Sequence, residues 1–255
     1  MKLFFRQVGE KGQPLVILHG IFGSSDNWLS VAKVLSEHFR VFLLDQRNHG
    51  QSPRSEDFSY QEMAADLKEF LEDHDLEDPI LVGHSMGGKT VMQFAIDYPV
   101  AFDKLVVVDI APKFYPVHHT GILQGLNTID LPTLQTRQQA DEILARYEDN
   151  PAVRQFLLKN LYRNATLGHF DWRINLPVIT REIHGVGEEL TTNKAIAKPV
   201  LFIKGSASNY ILPEDFKDIQ RIFPNAKLET IEGAGHWVQA DKPKEFCEIL
   251  LVFGL

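Results

Sequence analysis

A serine between two glycines is the strongest candidate for chemistry in the sequence. Residues 83–87 read Gly-His-Ser-Met-Gly, after the apolar run 80–82 and at the start of a helical pattern. Such glycines permit the sharp strand-to-helix turn that lifts a serine hydroxyl above the edge of a sheet. The N-terminus of the following helix directs backbone N–H groups toward the same place. The pattern therefore predicts Ser85 as a nucleophile and the N–H of Met86 as a donor to an oxyanion.

A serine nucleophile requires a general base, and position along the chain selects one of the ten histidines. Residues 233–237 read Gly-Ala-Gly-His-Trp, between the last predicted strand and the last predicted helix. A loop in this place lies at the same edge of a parallel sheet as the serine turn. We therefore predict His236 as the base. His84, within the serine turn, is expected to point away from the reacting centre.

A second oxyanion donor is predicted after the first buried strand. Residues 19–24 read His-Gly-Ile-Phe-Gly-Ser and follow the apolar run 15–18. A His-Gly pair in this position is typical of a loop that supplies half of an oxyanion hole. We predict the N–H of Ile21 as the donor, with that of Phe22 as the alternative. His19 is expected to order the turn.

The elements that position these residues alternate between short apolar runs and helical patterns. This alternation predicts a doubly wound, mostly parallel α/β sheet, because strands buried on both faces are continuously apolar and crossovers are right-handed. The predicted strands are residues 3–8, 15–19, 41–45, 80–84, 105–109, 200–204 and 227–231. The predicted helices are residues 28–37, 60–74, 87–98, 213–223 and 243–253.

One long stretch interrupts the alternation. No clear buried strand occurs from 112 to 197, where helical patterns at 141–147 and 152–161 are mixed with aromatic and polar residues. An insertion of this length is too long for an ordinary loop. We predict a core of residues 1–111 and 198–255 with an inserted helical cap at 112–197.

Together, these motifs resemble the α/β-hydrolase superfamily. The set is similar to the small bacterial YbfF-like esterases, although the resemblance is weaker in the cap. Besides the His-Gly pair it includes Asp-x-Arg-Asn-His-Gly-x-Ser-Pro at 45–53, Gly-His-Ser-Met-Gly-Gly-Lys at 83–89, Val-Asp-Ile-Ala-Pro at 108–112 and Gly-Ala-Gly-His-Trp-Val at 233–238. The resemblance implies hydrolysis of small carboxylic esters or thioesters through an acyl-enzyme, without a metal or an organic cofactor.

Several activities remain compatible with this resemblance. A serine at position 85 excludes dehalogenases and epoxide hydrolases, which need a carboxylate nucleophile there. Acyl-CoA thioesterases, carbon–carbon bond hydrolases and peptidases can use the same residues. A non-catalytic ligand-binding protein on this fold is the alternative from a different class.

The acid that orients the base departs from the superfamily's commonest pattern. Most members carry it in a Gly-x-x-Asp turn after the strand equivalent to 200–204, whereas residues 205–208 here read Gly-Ser-Ala-Ser. Asp109 ends the strand that follows the nucleophile helix and keeps the chain order nucleophile, acid, base. The YbfF-like esterases resemble this arrangement. We predict Asp109, with Glu214 and Asp215, where acids favour a helix N-terminus, as the alternatives.

Aromatic residues near the predicted site could line a substrate pocket, although each could equally belong to a hydrophobic core. The predicted substrate-binding residues are Phe22, Tyr115, Trp172 and Trp237. Arg47 and His49 could anchor an anion, but we expect them to tie their loop to the sheet edge. His118 and His119 lack the spacing of metal-binding motifs, so no metal is expected.

Composition sets the class of protein. The 255 residues are 44% hydrophobic and 24% charged, which is typical of a folded domain with a sizeable core. A net charge of −8 argues against nucleic acid or an anionic membrane as the main partner. One cysteine, Cys247, excludes internal disulfides and a cysteine metal cluster. Without a signal peptide or a membrane-spanning run, we expect a soluble cytoplasmic protein, a monomer or small homo-oligomer, that acts on a small molecule.

Overall fold

A seven-stranded sheet forms the centre of the computed structural model, which describes residues 1–117 and 119–255. The sheet order is β1-β3-β2-β4-β5-β8-β9, in which only β1 runs antiparallel to its neighbour, while β6 and β7 form a separate antiparallel pair. The strands are β1 (Phe5–Val8), β2 (Pro14–Leu18), β3 (Arg40–Leu44), β4 (Ile80–His84), β5 (Lys104–Val108), β6 (Leu161–Arg163), β7 (Phe170–Trp172), β8 (Val200–Gly205) and β9 (Ala226–Ile231). The mostly parallel α/β sheet predicted from the sequence is confirmed.

Helices cover both faces of the sheet. Because side chains alternate along a strand, Val16 and Leu18 pack toward one face and Leu15 and Ile17 toward the other. Helices α2, α3 and α8 bury apolar residues on the first face, and α1 and α10 on the second. The helices are α1 (Leu29–Leu35), α2 (Tyr60–Asp73), α3 (Met86–Asp97), α4 (Thr120–Thr128), α5 (Arg137–Leu144), α6 (Pro151–Leu158), α7 (Leu176–Gly187), α8 (Asp215–Ile222), α9 (Val238–Asp241) and α10 (Pro243–Gly254). Of these described helices, none is long and apolar enough to cross a membrane.

Between β5 and β8 the chain adds helices α4 to α7 and the β6–β7 hairpin. The prediction of helix at 141–147 overlaps only the second half of α5. That helix starts earlier, because Thr136 and Gln139 form a capping box at its N-terminus. Helices α4 and α7 and the hairpin were not predicted. His118, one of the two histidines considered for metal binding, lies outside the described residues.

Lys89 attaches this inserted segment to helix α3. Its side chain is completely buried, and its ammonium donates to the carbonyl oxygens of Lys113 at 3.0 Å, Gly187 at 3.2 Å and Glu188. Three donors therefore meet three acceptors. Burial lowers the pKa of Lys89 to about 8. The two ends of the inserted segment are thus held on the helix that begins next to Ser85.

Candidate active site

Ser85 forms the turn between β4 and α3 with φ 53° and ψ −117°, a backbone conformation that residues other than glycine rarely adopt. The glycines on each side make the turn possible. A Cβ on Gly83 would collide with the carbonyl of Gly87, and a Cβ on Gly87 would collide with the carbonyl of Leu18. The half-buried side chain of Ser85 consequently lies at the carboxyl edge of the sheet, as the sequence predicts.

His236 and Asp109 meet at the same edge as a hydrogen-bonded pair. Nδ1 of His236 donates to Oδ2 of Asp109 at 2.8 Å. The carboxylate is completely buried, whereas the imidazole is 22% exposed. A neutral imidazole that donates from Nδ1 carries its lone pair on Nε2, which is the state a general base needs. His236 and Ser85 line one cavity, so the base and the predicted nucleophile face the same space.

Three donors hold the Asp109 carboxylate. Besides His236, the N–H of Gly205 donates to Oδ1 at 3.2 Å and the hydroxyl of Ser208 donates to Oδ2. A buried carboxylate needs such partners, since the penalty for leaving it unbonded is large. Ser208 was missed from sequence. Its position in the sequence could have indicated it. Ser208 is the fourth residue of the turn at 205–208, where the commonest superfamily pattern has the aspartate.

The oxyanion donors can be compared directly. The N–H of Phe22 donates to Nε2 of His49 at 3.2 Å, so it is occupied. Within residues 1–117 and 119–255, no hydrogen-bond acceptor is found for the N–H of Ile21 or that of Met86. Met86 begins α3, where the first N–H groups of a helix have no intrahelical partner. This geometry favours Ile21 over Phe22 as the partner of Met86.

Two buried histidines order the loop that carries Ile21. His19 donates from Nδ1 to the Gly20 carbonyl at 2.8 Å and accepts the Gln46 N–H on Nε2 at 3.0 Å. His49 donates from Nδ1 to the Arg47 carbonyl at 3.0 Å, which leaves its Nε2 as an acceptor. Burial lowers the pKa of His19 below its ordinary value and that of His49 to about 3. Each ring donates from Nδ1 and accepts on Nε2, as a neutral imidazole does, and the two rings hold the loop by these hydrogen bonds.

His84 does not point away from the reacting centre as predicted. Its ring centroid lies 4.7 Å from that of His236, and its Nε2 donates to the His236 carbonyl at 2.8 Å. Because side chains alternate along β4, His84 projects on the same face as Ile80 and Val82, where the His236 loop crosses. Burial and the neighbouring His236 lower the pKa of His84 to about 3.

Two cavities meet at Ser85. The larger has a volume of about 470 Å³ and the smaller about 30 Å³. Phe22, Val153, Phe156, Leu157, His236 and Trp237 are among the residues that line the larger cavity. Tyr60, Met86, Tyr115, Ile183, Val186 and Tyr210 are among those that line the smaller cavity. The inserted segment thus contributes walls to both sides of the serine.

Comparisons with known proteins identify the family of this chain. The model of the α/β-hydrolase fold family matches residues 13–243. The chain belongs to the α/β-hydrolase fold family. It is 39% identical over 249 residues to esterase YbfF of Escherichia coli (strain K12), covering 95% of each chain. It is 38% identical over 247 residues to the sn-1-specific diacylglycerol lipase ABHD11 of Mus musculus, covering 94% of this chain and 80% of that one. A solved marine microorganism esterase is 45% identical, covers 99% of both chains and has a TM-score of 0.96.

The aromatic residues predicted to bind substrate in this α/β-hydrolase separate into three groups. Phe22 and Trp237 line the larger cavity, and Tyr115 lines the smaller one. Trp172 is not among the described residues that line either cavity. It ends strand β7, is 5% exposed and packs into the hydrophobic core, because the hairpin directs it inward.

Within the described residues, no hydrogen bond joins either alternative acid of the hydrolase to the imidazole. Glu214 is exposed. Asp215 accepts from Lys113 Nζ at 2.6 Å and from the Leu212 N–H at 2.7 Å. Asp109 is thus the candidate that the structure brings to His236.

The side chain of Arg47 is held by hydrogen bonds within the protein. Its guanidinium is buried and donates to both carboxylate oxygens of Asp66, at 2.6 and 2.9 Å. A further N–H donates to the Asp57 carbonyl at 2.8 Å. These bonds tie the loop after β3 to helix α2, and not to the sheet edge as expected from the sequence, and they leave the guanidinium occupied.

Proposed function

We propose that the protein is a serine hydrolase that cleaves small carboxylic esters or thioesters through Ser85, His236 and Asp109. The observation that carries the proposal is the 2.8 Å bond from His236 Nδ1 to the buried Asp109, in a cavity also lined by Ser85. The esterase and lipase names of the relatives support the same reaction class.

The first half-reaction forms an acyl-enzyme. Nε2 of His236 accepts the proton of the Ser85 hydroxyl as its oxygen attacks the carbonyl carbon of the ester. The carbonyl oxygen becomes an oxyanion, which the N–H groups of Ile21 and Met86 stabilise. Asp109 holds the imidazole in the tautomer that can accept the proton and stabilises the imidazolium that forms. The imidazolium then protonates the leaving alcohol or thiol as its bond to the acyl carbon breaks.

The second half-reaction releases the acid. Nε2 of His236 accepts a proton from water as the water oxygen attacks the acyl carbon on Ser85. The same N–H groups stabilise the second oxyanion. The imidazolium returns its proton to the serine oxygen, which leaves the carboxylic acid and free enzyme.

We also propose residues 112–197 as a cap over a core of residues 1–111 and 198–255. The contribution of Val153, Phe156 and Leu157 to the cavity at Ser85 supports this division. So does Lys89, whose ammonium bonds to carbonyls at the two ends of this stretch.

A fluorophosphonate probe tests the nucleophile. We expect a covalent adduct on the wild-type protein, mapped to Ser85 by peptide mass spectrometry, and no adduct on Ser85→Ala. We expect hydrolysis of p-nitrophenyl acetate to be lost in the same variant. Ser206→Ala is the matched control, since it removes an exposed serine hydroxyl bonded to Glu232 and leaves Ser85, His236 and Asp109 in place. A folded wild-type protein that neither reacts with the probe nor hydrolyses the ester would instead favour the ligand-binding alternative.

A further inference from the structure

The unequal cavities on the two sides of Ser85 indicate how an ester is oriented. An ester bound at Ser85 places its acyl group on one side of the reacting carbon and its alcohol on the other. The cavities of about 30 and 470 Å³ differ so much in volume that each suits a different half. Which half enters which cavity follows from the position of the general acid.

The leaving alcohol must lie beside His236, because the imidazolium protonates its oxygen as the bond breaks. Among the described residues, His236 lines the larger cavity and is absent from the walls of the smaller one. Met86, a predicted oxyanion donor, lines the smaller cavity and is absent from the described walls of the larger one. The alcohol is therefore directed into the larger cavity and the acyl chain into the smaller one, beside Met86.

The smaller cavity holds few atoms. A water-sized group needs about 10–15 Å³ of such space, so about 30 Å³ admits roughly two groups beyond the carbonyl carbon. Its walls are braced by hydrogen bonds: the Tyr60 hydroxyl donates to the Val186 carbonyl at 2.7 Å, and the Tyr115 hydroxyl to the Tyr210 carbonyl at 2.6 Å. Moving either tyrosine outward would break these bonds.

The larger cavity has the opposite character. Phe156, Leu157 and Trp237 give it an apolar surface, and its volume is more than ten times that of its neighbour. An apolar alcohol of many carbon atoms gains free energy by burying its surface there.

We propose that the substrates are esters of short acids, acetyl to propionyl, with bulky apolar alcohols. The inference rests on the proposed function, since it uses the roles of Ser85 and His236. It adds a substrate class whose recognition lies mainly on the alcohol side.

Three isomeric esters of formula C8H16O2 test the proposal: hexyl acetate, butyl butanoate and ethyl hexanoate. They have the same composition and similar alkoxide leaving groups. They therefore differ chiefly in whether the acyl side or the alcohol side of the ester carries the longer chain. We expect kcat/KM to fall in that order, by at least tenfold from first to last, since one misplaced methylene in a pocket changes rates by about tenfold or more. Ethyl hexanoate turned over as fast as hexyl acetate would overturn the proposal.

Two variants locate the effect in the cavities. Ile183→Ala enlarges the smaller cavity and should raise kcat/KM for butyl butanoate relative to hexyl acetate by at least threefold. Ile249→Ala, the same truncation on α10 at a residue that is not among the described residues lining either cavity, is the matched control and should leave that ratio within twofold of wild type. The wild-type series decides the proposal even if a variant fails to fold. Absence of turnover of all three esters by a protein that still forms the fluorophosphonate adduct on Ser85 would overturn the substrate proposal alone. Absence of both the turnover and the adduct would refute the proposed function itself.

Discussion

Replacing Asp109 by asparagine tests most directly how His236 is oriented. In the wild-type protein the carboxylate accepts from Gly205 N–H on Oδ1, and from His236 Nδ1 and the Ser208 hydroxyl on Oδ2. An amide has the same shape, but it offers one acceptor oxygen and one NH2 donor group. One of the two original acceptor positions therefore becomes a donor.

The structure selects which position changes. The Gly205 N–H cannot reverse its role, so the amide oxygen stays at its Oδ1 position. The amide NH2 then faces the Ser208 hydroxyl and His236, which can both become acceptors. His236 does so by moving its proton to Nε2, where it can no longer accept the proton of Ser85. In serine hydrolases that use a serine, a histidine and an aspartate, the same replacement of the aspartate by asparagine lowers kcat by about 10⁴. This factor corresponds to about 5.4 kcal/mol of activation free energy.

The assay is steady-state hydrolysis of p-nitrophenyl acetate at pH 8, with thermal unfolding to verify that each variant folds. We expect kcat of Asp109→Asn to fall by about 10⁴. Glu214→Gln and Asp215→Asn, which change an exposed carboxylate and one paired with Lys113, are expected to stay within threefold of wild type. A folded Asp109→Asn with kcat within tenfold of wild type, or a loss of 10³ in Asp215→Asn, would refute the reasoning.

Three further predictions concern the surroundings of the site. Ser208→Ala should lower kcat about tenfold, because Asp109 loses one charge-assisted hydrogen bond, and an unchanged kcat in the same assay would contradict this. Burial lowers the pKa of His49 and His84 to about 3 from an ordinary value of 6.5, so the unfolded chain binds protons first as the pH falls. The stability that these neutral rings contribute should therefore be fully present above pH 6.5. Below that pH the free energy of unfolding should decrease by about 1.4 kcal/mol per pH unit for each ring, and urea titrations at pH 7, 6 and 5 that coincide would refute this. Lys89→Met should lower the free energy of unfolding by about 2 kcal/mol, since three carbonyl groups lose their donor, with urea unfolding at pH 7 as the measurement and an unchanged midpoint as the contrary result.

The sheet could be predicted from the sequence because its strands are buried on both faces. All five residues of β2 are buried, so the run is continuously apolar, a pattern that an amphipathic helix does not produce. The turn at Ser85 could be predicted for a different reason. Its conformation requires glycine at Gly83 and Gly87, and that requirement is visible in the residue types themselves.

The inserted segment could not be predicted to the same extent, because its elements depend on tertiary contacts. Helix α4 contains two glycines and is stabilised by packing on neighbouring helices rather than by its own helix propensity. In the part of the chain that the structure describes, the three-residue strands β6 and β7 pair only with each other. They are too short for a recognisable alternation of side chains. The inward position of Trp172 follows from that pairing, and an aromatic residue considered alone gives no sign of it.

The contact between Asp109 and Ser208 also bears on how such sites diverge. One residue follows β5 and the other follows β8, yet the Ser208 hydroxyl and the His236 imidazole donate to the same oxygen, Oδ2 of Asp109. A carboxylate could therefore pass from one strand to the other in two single substitutions, by gaining aspartate at position 208 and then losing it at 109. In the intermediate, one of the two adjacent carboxyl groups would hold a proton, and the imidazole would have an acid in reach at every step. On this geometry, the two arrangements of the acid found among these hydrolases are neighbours in sequence space.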